Sequence, residues 1–69
     1  MTKELTAAVI IVGDEILSGR TRDVNANFIA ARLHRRGLYL KRIITIPDEL
    51  RTIADKIREY GGKYGRVFV

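Results

Sequence analysis

Apolar and polar positions alternate along this chain in blocks, and the blocks predict its elements. Ala7 to Val12 is an unbroken apolar run. It reads as a buried strand over Thr6–Val12, and it delivers a polar loop, residues 13–22, that opens on Gly13-Asp14-Glu15. Asp23 is placed to cap a helix over residues 24–36, with Gly37 just past its end. Residues 38–46 are apolar and β-branched apart from Lys41 and Arg42, so they predict a second strand, stopped by Pro47. Asp48 is placed to cap a second helix over residues 49–60. There Leu50, Ile53, Ala54, Ile57 and Gly61 recur at the spacing of one helical face. Gly61-Gly62 ends that helix, and residues 66–69 begin a third strand.

The order βαβαβ implies a parallel sheet with helical crossovers. Crossovers are right-handed, so an order of 1-2-3 would put both helices on one face and leave the other bare. An order of 2-1-3 puts them on opposite faces and makes the wholly apolar first strand central. The predicted fold class is therefore α/β, with strand order 2-1-3. In that order the chain reverses across the sheet between strands 1 and 3. Ligands of open α/β sheets bind at such a switch point, beyond the carboxyl ends of the strands.

Composition narrows the classes. Sixty-nine residues make one domain at most, here residues 1–69, and a chain this short buries only about 60% of its unfolded surface. It has no cysteine and one histidine, so disulfides and thiolate metal sites are excluded and a zinc site is disfavoured. No apolar stretch is long enough to span a bilayer, and the cytoplasm is the expected location. The net charge of +5 raises nucleic acid as a partner. The cations Arg32, His34, Arg35, Arg36, Lys41 and Arg42 are not interleaved with aromatics, however, and read better as a solvated helix end and strand edge.

Few residues are placed to carry chemistry. Gly13 permits close backbone approach, and the adjacent carboxylates of Asp14 and Glu15 suit a hydrated Mg²⁺ that bridges phosphates. An ordinary polar turn explains the same residues. Ser18-Gly19-Arg20-Thr21-Arg22 offers an anion site ahead of a helix, or a solvated loop. Asn25 suits a ligand or a local backbone bond. Asp48 suits an N-cap or the same crevice as Asp14. The spacing matches neither a Walker A loop nor a dinucleotide fingerprint.

The stretch Val12-Gly13-Asp14-Glu15-Ile16-Leu17-Ser18-Gly19-Arg20-Thr21-Arg22-Asp23-Val24-Asn25, with Ile46-Pro47-Asp48 ahead of an amphipathic helix, resembles the molybdopterin-binding domain family. Within it, the resemblance is nearest to the competence-damage-inducible protein A branch. The resemblance implies a three-layer αβα domain and a crevice for molybdopterin or a nucleotide such as ATP or ADP-ribose. By the same resemblance Gly13, Asp14, Glu15, Ser18, Gly19, Asp23 and Asn25 would contact the ligand. Asp14, Glu15 and Asp48 would hold Mg²⁺, and Asp48 would be catalytic. The adenylyltransferase branch transfers AMP to molybdopterin, whereas the competence-damage branch is associated with Mg-dependent ADP-ribose pyrophosphate hydrolysis. The family's Gly-Gly-x-Gly-Pro loop would come directly after the strand that reaches Val69. The chain is therefore expected to be the N-terminal βαβαβ portion of a domain, inactive alone and prone to form homo-oligomers.

Overall fold

The computed structural model describes residues 2–14 and 25–69. A 3₁₀ turn at Lys3–Leu5 leads into β1, Thr6–Val12. Next come α1 (Ala26–Arg35), β2 (Tyr39–Ile46), α2 (Leu50–Gly61) and β3 (Arg66–Phe68). The strands pair in parallel in the order β2-β1-β3, as the handedness of crossovers predicts.

β1 is central because it can be buried on both sides. Ala7 and Ala8 are wholly inaccessible and Ile10 nearly so. On one face Ala8, Ile10, Ile46 and Tyr60 form the core, joined by Val12, Ile44, Ile53, Tyr64 and Val67. α2 supplies Ile53 and Tyr60 to that face. Arg66 and Phe68 alternate with Val67 along β3 and therefore point to the other face. Leu33 of α1 meets them there, so the two helices lie on opposite sides of the sheet.

The pairing of β1 with β2 is not regular. Ala7 faces Leu40 and Ala8 faces Arg42, so Lys41 is an extra residue in a β-bulge. The bulge sets Arg42, Ile44 and Ile46 beside Ala8, Ile10 and Val12, on the α2 face. Hydrogen bonding to Tyr60, and then its charge, hold the Arg42 guanidinium pKa above the ordinary arginine value.

The observed α2 face differs from the expected one. Leu50 is 85% exposed, Ala54 is exposed, and Ile57 is partly so. The inward positions are Ile53, Tyr60 and, beyond the helix, Tyr64, whose ring stands edge-on to Tyr60 at 5.7 Å. Counting aliphatic residues alone passes over a tyrosine that packs by its ring.

Helix ends also move by a residue or two. α1 starts at Ala26 and not at 24, because Asn25 is the N-cap: its side-chain oxygen accepts from the Phe28 N–H at 3.1 Å. The expected cap, Asp23, lies outside the described residues. At the other end Gly37 has φ +81°, with Gly37 N–H donating to the His34 carbonyl and Leu38 N–H to that of Leu33. This is a Schellman termination, and it requires the left-handed residue that glycine supplies. Asp48 is not the cap of α2. Glu49 occupies that position without a side-chain cap bond, and the helix runs one residue later than expected.

Candidate functional site

The carboxyl ends of β1 and β2 are tied together by backbone. Gly13 is buried and its N–H donates to the Ile46 carbonyl at 3.2 Å, continuing the ladder one step past β1. Pro47 has no N–H to continue it from the other side. The chain therefore leaves the sheet at Pro47 and turns into α2, with Glu49 N–H bonded to the Pro47 carbonyl at 2.9 Å.

One contact joins the two loops that the sequence singles out. The Asp48 N–H donates to Asp14 Oδ1 at 3.3 Å, across 34 positions of sequence. Asp14 comes two residues after the end of β1 and Asp48 two after the end of β2, so parallel pairing of these strands sets the two aspartates side by side. Both are exposed. The ion pairs among the described residues lie on and just after α2, linking Lys56 and Lys63 to Glu59, and Arg58 to Asp55. None uses Asp14 or Asp48.

The start of α2 adjoins this contact. Glu49 makes no side-chain cap, so the first N–H groups of the helix are not satisfied by it. The Ile53 N–H, bonded to the Glu49 carbonyl at 3.0 Å, opens the helical ladder. A carboxylate beside helix-start amides that no cap side chain satisfies is an arrangement suited to a cation ligand and an anion cradle.

Asn25 spends its side-chain oxygen on capping α1, which leaves its NH₂ group for a further bond. Glu15, Ser18, Gly19 and Asp23 lie outside the described residues. Among the described residues no cluster of three or more metal-ligating side chains occurs. Asp14 and Asp48 are a pair, the number that Mg²⁺ uses when phosphates and water complete its shell. Sequence reasoning gave Asp48 two roles, cap or crevice. The hydrogen bond from its amide to Asp14 sets it beside that carboxylate, at the carboxyl end of the sheet.

Comparison with known proteins agrees with this architecture. One family profile, described as a probable molybdopterin binding domain, matches residues 8–69. A probable FAD synthase of Caenorhabditis elegans is 39% identical over 67 residues, which is 97% of this chain and 13% of that protein. A CinA-like protein of Citrifermentans bemidjiense is 40% identical over 65 residues, or 94% of this chain and 16% of its own length. The crystal structure of the protein CinA with unknown function from Thermoplasma acidophilum superposes with a TM-score of 0.82 at 35% identity. It covers 96% of this chain and 39% of that one. The chain thus spans only a minor part of the relatives it matches.

Proposed function

Since the chain belongs to the molybdopterin-binding domain family, we propose that the carboxyl ends of β1 and β2 form one wall of a crevice for the phosphate-bearing end of a pterin or nucleotide. The observation that carries this reading is the Asp48 N–H to Asp14 bond, which unites the two loops at the end of the sheet where α/β proteins bind ligands. Gly13 lets the backbone approach closely. Asn25 offers an amide NH₂ group at the start of α1, and the uncapped start of α2 offers backbone N–H groups to a phosphate. Glu15, Ser18, Gly19 and Asp23 would complete the ligand contacts from the rest of the first loop. The name of the worm relative, a probable FAD synthase, supports a phosphate-bearing ligand.

Mg²⁺ fits this wall, because two exposed aspartates stand side by side there, joined through the Asp48 amide, and magnesium takes its other ligands from water and phosphate. Asp14 and Asp48, with Glu15, would hold it. When bound, it would neutralise phosphate charge. The chain's own part is to position: Asp14 fixes the loop after β2, and Gly13 fixes Asp14 to the sheet. Self-association would use the outer edge of β3, where Phe68 is 41% exposed.

The test is a titration of the chain with molybdopterin, ATP and ADP-ribose, each with and without Mg²⁺, monitored by amide NMR shifts. Shifts at Gly13, Asp14 and Asp48 are expected, and Asp48→Ala should weaken binding. Saturable binding that leaves those amides unmoved would refute the site. A second reading, a Mg-dependent ADP-ribose pyrophosphatase, rests on the same carboxylate pair. Release of AMP and ribose phosphate, lost in Asp48→Asn, would separate catalysis from binding.

A further inference from the structure

The net charge of this chain has one source. Residues 24–47, which carry α1 and β2, hold five Lys or Arg and no Asp or Glu, whereas the rest of the chain holds eight of each and is neutral. The five are Arg32, Arg35, Arg36, Lys41 and Arg42. The first three wall a hollow of about 200 Å³ at the last turn of α1. The ion pairs among the described residues use none of the five. Two exposed rings stand with these cations in the folded chain. Arg32 lies over the Phe28 ring at 5.5 Å, and Phe28 is 59% exposed. Across the α1–β2 turn the ring of Tyr39, 40% exposed, meets that of His34 edge-on at 5.4 Å. All of these residues belong to α1, β2 or the turn between them, and none to the β3 side of the sheet.

We propose that the outer surface of α1 and the start of β2 bind single-stranded nucleic acid. Charge selects a polyanion. Arg32 is a helical neighbour of both Arg35 and Arg36, and like charges at that spacing destabilise a helix until an anion stands between them. Guanidinium groups present paired N–H donors in one plane, which fits the oxygens of a phosphate. The rings then select the class. Unpaired bases stack on exposed aromatic and guanidinium planes, and positive charge beside them tracks the backbone. An acidic peptide would leave both rings bare. A bilayer would require an apolar stripe on the outside, and α1 turns Ile29 and Leu33, both half-buried, toward the sheet. α1 runs opposite to the strands, so its last turn lies at their amino ends, away from Asp14 and Asp48. The two sites therefore stand or fall separately.

The probe is a fluorescein-labelled single-stranded oligonucleotide of about 12 nucleotides and mixed sequence, read by anisotropy at a series of NaCl concentrations. Binding should saturate at low salt and move the amides of His34, Arg35 and Tyr39. Log affinity should fall against log salt with a slope of about −2 to −3.5, as three to five neutralised phosphates require. Arg35→Ala with Arg36→Ala should weaken binding at least tenfold and reduce the slope by about 1.4. A variant that merely misfolds would lose amplitude and keep the slope. Phe28→Leu should weaken binding about fivefold or more at unchanged slope, because it removes a stacking ring and no charge. Arg58→Ala, on α2, should change neither. No saturable binding at low salt would overturn the proposal, and so would a Phe28→Leu chain that binds as the parent does. An equal loss in Arg58→Ala would also overturn it, since the response would then follow net charge alone. Displacement by polyglutamate as effective as by unlabelled oligonucleotide would assign the surface to an acidic polypeptide instead. Equally effective displacement by inorganic polyphosphate would assign it to phosphate chains without bases.

Discussion

Replacing Gly65 with alanine should damage this fold more than its modest chemistry suggests. A Cβ at Gly65 would lie 2.6 Å from the carbonyl oxygens of both Glu4 and Lys3, and 2.7 Å from the Glu4 carbonyl carbon. All three are backbone atoms, so no side chain can swing aside. Relief requires the 3₁₀ turn and the start of β3 to separate. Overpacking of this kind costs about 1–3 kcal/mol. The separation also strains two bonds through one hydroxyl. Thr6 Oγ1 donates to the Lys3 carbonyl at 2.6 Å and accepts from the Gly65 N–H at 3.3 Å. Each is worth about 0.5–1.5 kcal/mol. The sum is roughly 2–6 kcal/mol. A domain of 69 residues has on the order of 3–10 kcal/mol in all. Gly65→Ala should therefore lower the midpoint of thermal unfolding by roughly 8 °C or more. Circular dichroism melts with parallel urea titrations measure it. Gly61→Ala is the control, since a Cβ there meets nothing within 4 Å, and it should be neutral or slightly stabilising. A Gly65→Ala stability within about 0.5 kcal/mol of the parent would refute the close approach.

The same geometry carries three further outcomes. Asn25→Ala removes the cap on the Phe28 N–H and should cost about 1 kcal/mol in urea unfolding, while Asn25→Ser keeps most of it. Asp14→Ala should speed hydrogen exchange at the Asp48 amide about fivefold, which corresponds to ~1 kcal/mol, whereas Asp14→Asn retains the acceptor and should leave exchange nearly unchanged. The Glu59 carboxyl is held below its ordinary pKa, first by its hydrogen bond from Lys56 and then by the charges of Lys56 and Lys63. A lowered folded-state pKa gives stability that is present above the unfolded value and lost as pH falls through the folded one. The stability of Glu59→Gln relative to the parent should therefore improve between neutral and acid pH, measured as urea midpoints.

Much of the fold is legible because its cause is local or topological. β1 can be read from Ala7 to Val12 because no polar residue interrupts it. The order β2-β1-β3 comes from handedness and the need to cover both faces. Gly37 marks its helix end because only glycine takes φ +81° without cost. What escapes is set by distant partners. Tyr60 becomes core because it packs on Ala8, Ile10 and Ile46 across the sheet and edge-on to the Tyr64 ring. The residue after Pro47 looks like a cap in sequence, yet its amide is claimed by Asp14 across the sheet. Glu49 is left at the cap position with no signal to announce it. The hollow that Arg32, Arg36, Arg66 and Phe68 line escapes for the same reason: Arg66 and Phe68 come beside α1 only when β3 pairs with β1.

The extra residue in β2 has a consequence for how this strand tolerates change in length. Side chains along a strand alternate, so every insertion or deletion inverts the parity of all later residues in it. At Lys41 that inversion is already absorbed, because Leu40 keeps company with Ala7 and Arg42 with Ala8 while Lys41 opposes neither. Deleting Lys41 would leave a regular ladder with every later residue on the side it now occupies. Deleting any of the four residues from Arg42 to Thr45 would hand the odd count to Ile46, and with it the carbonyl that Gly13 binds and the turn that carries Asp48. β2 thus has a slack half near its start and a counted half near its end. The counted half is the one that leads to Asp48 and the proposed crevice.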